Sequence, residues 1–392
     1  MVTADAAPGV NDSQVAQAAS GRGAAFVLAG GGTGGHISPG LAIAERLRSI
    51  DPTCRPIFAC SERSIDAAML READAEFVPI PAEPFSLQPA RLMKCLLAGW
   101  KGRRVAQALL RDGNVRYVVA LGGFVTAPVV AAARSAGVPV LLVNLDATPG
   151  KANRWVAKRA SRALSAVPTP TLPHFAERII GMPIRRMAIA PSDPLSCRES
   201  LGLAPNLLTL LVTGASQGAT SLNQLVPLLA TRRRQLFAGW QILHICGHGD
   251  SSALAALYRD AGVPAVVKTF VHRMGLAWGA ADLALSRAGA NSVAEAAINA
   301  VPTLFAPYPY HKDLHQKYNA QPLVDEGAAA MELDRIDAEA NCEGLGQTLA
   351  ALMMDPARRS DMRERLQRRP REDAALTIAT LLLETTRPPR EV

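Results

Sequence analysis

Aromatic side chains make up only 5% of the 392 residues and nowhere interleave with basic ones, which ranks nucleic acid last among partners although the net charge is +8. Long apolar runs are missing too, since none approaches the ~20 residues of a bilayer-crossing helix. Cysteine is dispersed. Cys54, Cys60, Cys95, Cys197, Cys246 and Cys342 form no C-x-x-C pair and have no neighbouring histidine at metal spacing, so they read as reduced core thiols of a cytoplasmic protein. Residues 1–23 lack both a basic start and an apolar stretch and read as a flexible tail rather than a signal peptide.

What is present is 49% hydrophobic and 19% charged, an ordinary globular balance in a chain long enough for two domains. Short apolar runs alternate with helical stretches: Phe26–Ala29, Arg55–Cys60, Glu76–Ile80, Arg116–Leu121 and Val138–Val143, then Leu207–Thr213, Gln241–Cys246, Ala265–Phe270, Asp282–Ser286 and Pro302–Ala306. This alternation predicts an α/β fold with parallel, doubly wound sheets. The restart at Leu207 predicts two Rossmann-like domains, 24–186 and 207–354, joined by a Pro-rich linker over 187–206 and followed by helices in 355–386 and a tail over 387–392.

The first strand breaks into Gly30-Gly31-Gly32-Thr33-Gly34-Gly35-His36 before a helix resumes. Glycines let backbone N–H groups approach a ligand, and a helix start adds its positive end, so the loop suits a phosphate or a developing negative charge. Gly30, Gly32 and Gly35 also fit the dinucleotide pattern G-x-G-x-x-G, but that reading needs an acid ending the next strand, which ends in Cys60-Ser61 with Glu62 late. Ligands of doubly wound sheets gather at the carboxyl ends of strands, so Gly30–His36, Gly122–Phe124 and the loop after Val143 are expected in one crevice.

In the second half, Leu283–Ser286 runs into Arg287-Ala288-Gly289-Ala290-Asn291-Ser292-Val293-Ala294-Glu295. The helix start would offer N–H groups to a diphosphate, Arg287 a fixed charge, and Glu295 an acceptor for both ribose hydroxyls; taken alone, Glu295 reads first as a solvated helix carboxylate. Asp313, Gln316 and Asn319 recur at three-residue spacing and could present one polar face to a sugar, or simply face water. His311 and His315 lack a third ligand, so no metal is expected. Within 87–116, Leu92, Met93, Leu96, Leu97 and Trp100 form an apolar stripe among Arg91, Lys94, Lys101, Arg103, Arg104 and Arg111. Such a helix rests on anionic lipid heads or turns its stripe to the core.

Several motifs in order resemble the MurG family of peptidoglycan lipid-intermediate glycosyltransferases: Gly31–His36 with Pro39, Gly122-Gly123-Phe124, Asn153-Arg154-Trp155, Gly181-Met182-Pro183-Ile184-Arg185, Gly214–Ala219, Arg287–Glu295 and His311-Lys312-Asp313. The resemblance implies an inverting, metal-independent GT-B enzyme without a cofactor. It would move N-acetylglucosamine from its UDP derivative to undecaprenyl-diphospho-muramoyl-pentapeptide at the cytoplasmic, anionic face of the cell membrane. Carried over, the family's donor residues fall on Arg185, Ser216, Gln217, Val271, Arg287, Ala290, Asn291, Ser292, Val293, Ala294, Glu295 and Gln316. Thr33, Gly34 and Gly35 fall on the loop facing the diphosphates, Asp146 on a substrate-holding position, and His36 on the candidate general base; packing or capping of the loop is the other role open to His36. Val143-Asn144-Leu145-Asp146 stands where the family carries His-Glu-Gln-Asn. That departure keeps two alternatives open, a GT-B paralogue with another lipid or sugar acceptor and a nucleotide-sugar-binding protein without turnover.

Overall fold

The computed structural model describes residues 23–32, 34–84, 88–112, 114–191, 193–214, 218–310 and 313–385. Two compact units divide the chain. The first takes the described residues up to 145, with 149–183 and the C-terminal segment from 374; the second takes 146–148 and 184–373.

The first unit is built on β1 (Ala25–Gly30), β2 (Arg55–Cys60), β3 (Glu76–Pro79), β4 (Val115–Gly122), β5 (Val140–Asn144), β6 (Arg162–Ser165) and β7 (Arg178–Ile179). They pair in parallel in the order β3-β2-β1-β4-β5-β6-β7. Helices cover both faces, so the central strands are apolar throughout rather than alternating. Ala25, Val27 and Ala29 enter one buried cluster, while Phe26 and Leu28 are buried on the opposite face.

The second unit repeats the plan with β8 (Leu208–Thr213), β9 (Trp240–Ile245), β10 (Ala265–Lys268), β11 (Leu283–Ser286), β12 (Thr303–Phe305) and β13 (Ala330–Met331). Their order is β10-β9-β8-β11-β12-β13, again parallel. Separate apolar clusters fill its two faces. Both halves are therefore doubly wound, as the alternation predicts.

The described residues of the expected linker, 187–191 and 193–206, belong to the second unit instead. Asp193 caps the helix Pro194–Leu201 by accepting from the Leu195 and Ser196 N–H groups, and Arg198 pairs with Asp282 at 2.7 Å in the second unit. Proline just inside a helix start, after a capping carboxylate, begins an element rather than breaking one. The terminal helices also part company. Pro356–Gln367 lies in the second unit, whereas Ala374–Glu384 packs on Gly34–Ile50 in the first.

Candidate functional site

Each sheet has one point where successive connections leave in opposite directions, between β1 and β4 and between β8 and β11, and doubly wound folds bind ligands there.

In the first unit the register sets Gly30 against Gly122. Gly122 and Gly123 have φ of 120° and 84°. A Cβ on Gly123 would lie 2.3 Å from the Gly31 carbonyl oxygen, and one on Gly122 would lie 2.8 Å from Nε2 of His36. The two loops can meet only as glycine. His36, half-buried in the first turn of the helix Gly34–Ile50, thus lays its ring on the Gly122 backbone, and Asn153 Oδ1 is 3.4 Å from the same point. Behind it runs a buried amide chain: Asn153 Nδ2 donates to Asn144 Oδ1 at 3.0 Å, Asn144 Nδ2 to Ser165 Oγ at 3.0 Å, and Ser165 Oγ to the Val167 carbonyl at 2.7 Å. Asn144 therefore occupies the departed segment as a neutral link with both ends of its amide used.

The floor of the glycine loop was not visible in the motifs. Asp66, fully buried, accepts from Gly32 N–H at 2.7 Å and from the Ser61 hydroxyl at 2.6 Å. Arg63 donates to the Gly32 carbonyl at 2.6 Å and lies over the Phe124 ring. Asp66, in the helix Ser64–Glu72 that follows β2, is thus turned onto the loop itself.

In the second unit Ser286 is in register with Thr213, and the chain passes through Arg287–Gly289 into the helix Ala290–Ile298. Its first turn holds Ala290, Asn291, Ser292 and Val293, the Val293 N–H already donating to the Gly289 carbonyl at 3.0 Å, and it presents the positive end of the helix dipole just beyond β11. Ala294 and Glu295 follow in the second turn. The Glu295 carboxylate, half-buried, accepts from Trp278 Nε1 at 2.8 Å, and Trp278 itself is 1% exposed. Desolvation pushes the Glu295 carboxyl up to about 7, outweighing the indole hydrogen bond, which works the other way.

Arg287 differs from its expected role. Instead of facing outward its guanidinium is buried, pairing with Asp334 at 2.6 Å and donating to Ser221 Oγ at 3.0 Å and to the Ala306 carbonyl at 2.9 Å. A desolvated charge needs such partners, and Asp334 is completed by Ser221, Asn341 and the Ile336 N–H. Burial works to raise the Asp334 carboxyl, but hydrogen bonds from Ser221 and Asn341 and the Arg287 charge hold it below its ordinary value. Arg287 therefore anchors the turn that precedes the helix. Asp334→Ala leaves that guanidinium unpaired and is expected to cost about 3–5 kcal/mol in denaturant unfolding; a change under about 1 kcal/mol would contradict the pairing.

The polar face expected from Asp313, Gln316 and Asn319 is largely consumed. Gln316 Oε1 accepts from the Tyr308 N–H at 2.9 Å, and Asp313 bonds His315 Nδ1 at 2.7 Å. Asn319, 3% exposed, accepts from the Ala147 N–H at 2.8 Å and donates to Asp146 Oδ1 at 3.0 Å. Asp146 is thus bound within the second unit. Val271 is buried just beyond β10, and Arg185 precedes a 3₁₀ turn at Arg186–Ala188. Near the exit of β9, Asn223 Nδ2 donates to the Cys246 carbonyl, so its Oδ1 accepts from His244 Nε2–H at 3.0 Å and His244 Nδ1 accepts from Tyr258 at 2.7 Å. Burial pushes His244 down to about 3 and keeps it neutral. Thr33, Ser216, Gln217, His311 and Lys312 lie outside the described residues.

The helix Pro89–Asp112 leaves Met93, Leu96, Leu97 and Trp100 more than half exposed, so that stripe does not face the core. No helix among the described residues is long and apolar enough to cross a membrane.

Comparison with known proteins covers both crevices. The glycosyltransferase family 28 N-terminal domain matches residues 26–165 and the family 28 C-terminal domain residues 209–378. The UDP-N-acetylglucosamine--N-acetylmuramyl-(pentapeptide) pyrophosphoryl-undecaprenol N-acetylglucosamine transferase of Streptomyces coelicolor is 36% identical over 364 residues, 91% of this chain and 97% of that protein. The protein of the same name from Desulforudis audaxviator is 34% identical, over 86% of this chain and 92% of its own. The crystal structure of Acinetobacter baumannii MurG matches with a TM-score of 0.71 at 26% identity, covering 92% of this chain and 99% of that one.

Proposed function

The chain belongs to glycosyltransferase family 28 and within it to the MurG transferases, a GT-B enzyme using UDP-N-acetylglucosamine, and we propose that its acceptor is undecaprenyl-diphospho-N-acetylmuramoyl-pentapeptide. The acceptor's C4 hydroxyl attacks the anomeric carbon as the bond to UDP breaks, so the configuration inverts. His36 takes the hydroxyl proton, and UDP leaves with its charge held by the start of the helix Ala290–Ile298. Preorganised N–H dipoles suit that task, and because Arg287 is neutralised by Asp334 they carry more of it than a free arginine would leave them. Glu295 accepts the ribose hydroxyls, and the backbone near Val271 serves the donor. Among the remaining family positions, Arg185, Gln316 and the segment Ala290–Ala294 serve the donor, Gly34 and Gly35 the diphosphates, and Asp146 the held substrates. Thr33, Ser216 and Gln217 keep the roles the resemblance implies.

What supports this reading most is the identity spread over 91% of the chain, so that both glycine-lined crevices fall inside it. The exposed Met93, Leu96, Leu97 and Trp100, set among Arg91, Lys94, Lys101 and Arg104, support a peripheral seat on the anionic cytoplasmic face of the membrane, where the lipid acceptor resides. The test is transfer of labelled N-acetylglucosamine from its UDP derivative to the polyprenyl-diphospho-muramoyl peptide, with stoichiometric UDP release. Binding of the nucleotide sugar without release would leave a non-catalytic binder. Transfer only to another lipid or sugar would make the Val143–Asp146 departure a change of acceptor.

A further inference from the structure

We infer that Arg63 binds the diphosphate of the lipid-linked acceptor and supplies the fixed positive charge that the first glycine loop needs to receive it. The inference rests on the proposed transfer and deepens it, by giving the acceptor's charged group a partner that none of the glycine motifs contains.

Arg63 is exposed and stands just past β2, at the N-cap position of the helix Ser64–Glu72. The ligand crevice of a doubly wound sheet opens at that end of its strands. The guanidinium donates to the Gly32 carbonyl at 2.6 Å and lies 5.6 Å from the centroid of the Phe124 ring, so one side chain reaches both glycine loops. Phe124 itself rests on the first loop, since a Cβ on Gly32 would lie 2.9 Å from its Cε1. A guanidinium carries five donors in a rigid fork, and among the described residues this one gives a single donor to the protein. No carboxylate of the described residues pairs with it.

The acid beneath the loop is what makes that cation necessary. Asp66, fully buried, takes the Gly32 N–H, so that donor is turned away from any ligand. A Cβ on Gly31 would lie 2.6 Å from Asp66 Oδ2, a measure of how closely the loop rests on the carboxylate. The Ser61 hydroxyl also donates to Oδ2, but Oδ1 has no hydrogen-bond partner among the described residues, and none of their cations pairs with this carboxylate. A buried charge compensated so incompletely repels an anion that arrives at the loop. Arg63 holds the same glycine from its carbonyl side and sets a positive charge at the surface, nearer to a ligand than the carboxylate below. The acceptor's diphosphate suits that arrangement. Unlike the departing UDP it keeps its charge throughout transfer, so it calls for a fixed cation rather than for dipoles aimed at developing charge, and the planar fork of arginine meets two phosphate oxygens at once.

The experiment titrates the full chain with geranyl diphosphate, a soluble isoprenoid diphosphate, by calorimetry at saturating UDP so that the donor site is already filled. Arg63→Ala is compared with Arg71→Ala, which removes the same charge from the last turn of the same helix. Arg63→Ala is expected to weaken geranyl diphosphate by about tenfold or more and to raise KM for the lipid-linked acceptor in step, while Arg71→Ala stays within about twofold of the parent. Unchanged UDP affinity confirms that both variants fold. Equal losses in the two variants overturn the site, because diffuse attraction depends only on the charge removed. A parent protein that ignores geranyl diphosphate overturns it too. So does a fall in kcat on Arg63→Ala with KM and geranyl diphosphate affinity unchanged, since Arg63 would then only brace Gly32. The transfer reading fails separately: a parent that moves no sugar to the lipid-linked acceptor, yet binds geranyl diphosphate through Arg63, would lose the proposed function and keep this site.

Discussion

Turnover of a His36→Ala variant is expected to fall by about 10²–10⁴-fold with its affinity for UDP unchanged, because general-base help is a transition-state effect of that size. The separation of effects follows from where the residues sit. His36 belongs to the first unit, on the Gly122 backbone, whereas Glu295, Trp278 and the helix Ala290–Ile298 belong to the second. A donor-site measurement should not notice the imidazole. Steady-state transfer with calorimetric UDP titration makes the comparison, and His36→Gln provides a second variant of similar reach that cannot take up the proton. If His36 only packs the loop, glutamine should restore much of the rate and the loss should appear as a lower melting temperature. Near-normal turnover in either variant would remove the base. The amide chain Asn153–Asn144–Ser165 gives a graded companion case. Asn153→Ala would remove the Asn153 amide from Asn144 Oδ1 and is expected to lower turnover less than His36→Ala does, since it acts only through the position of its neighbours.

The sheets were legible because strands buried on both faces are written as short continuous apolar runs between helical stretches. Arg55–Cys60 begins and ends where its run does. Strands lacking such a run were not legible. Arg162–Ser165 is half polar, and Arg178–Ile179 and Ala330–Met331 are two residues each, held by neighbours rather than by their own composition. The same division runs through the candidate site. Glycine loops announce themselves, since positive φ and close backbone approach leave few other choices at Gly122 and Gly123. The direction of a side chain does not. Arg287 could be found from its place after β11, but only the fold shows that it turns inward to Asp334, a partner supplied by the loop after β13. Asp66 was equally plain as a letter, yet the Gly32 N–H it accepts exists as a partner only once β1 and β2 lie side by side. Sequence places a functional group on an element, and tertiary packing decides whether its charge remains available.

Glu295 combines both kinds of information, and its replacement should have the second large effect. Glu295→Ala is expected to weaken UDP by about 1–3 kcal/mol, the range for hydrogen bonds to a charged acceptor, with little change for free phosphate or diphosphate, which lack the ribose. Its pH dependence is the sharper test. The carboxyl titrates near 7 in the protein because desolvation disfavours its charge, whereas an ordinary glutamate titrates at 4.5. Only the ionised form offers full acceptor capacity to both hydroxyls. UDP affinity should therefore be highest above about pH 7 and fall by roughly tenfold for each pH unit below it. Stability of the empty protein must move the other way. Between pH 4.5 and about 7 the folded state holds a proton that the unfolded chain releases, so stability declines as pH rises through that window, and the cost is complete above it. Glu295→Gln keeps a hydrogen-bond acceptor for Trp278 but has nothing to ionise. It should be more stable than the parent above pH 7 by about 1–3 kcal/mol and equal to it near pH 4, while binding UDP weakly and without pH dependence. Trp278→Phe removes the one side-chain hydrogen bond that lowers the Glu295 carboxyl, so the midpoint of UDP binding should move to higher pH. A midpoint unmoved by Trp278→Phe, together with UDP binding indifferent to Glu295→Gln, would place the ribose elsewhere and take the donor assignment with it.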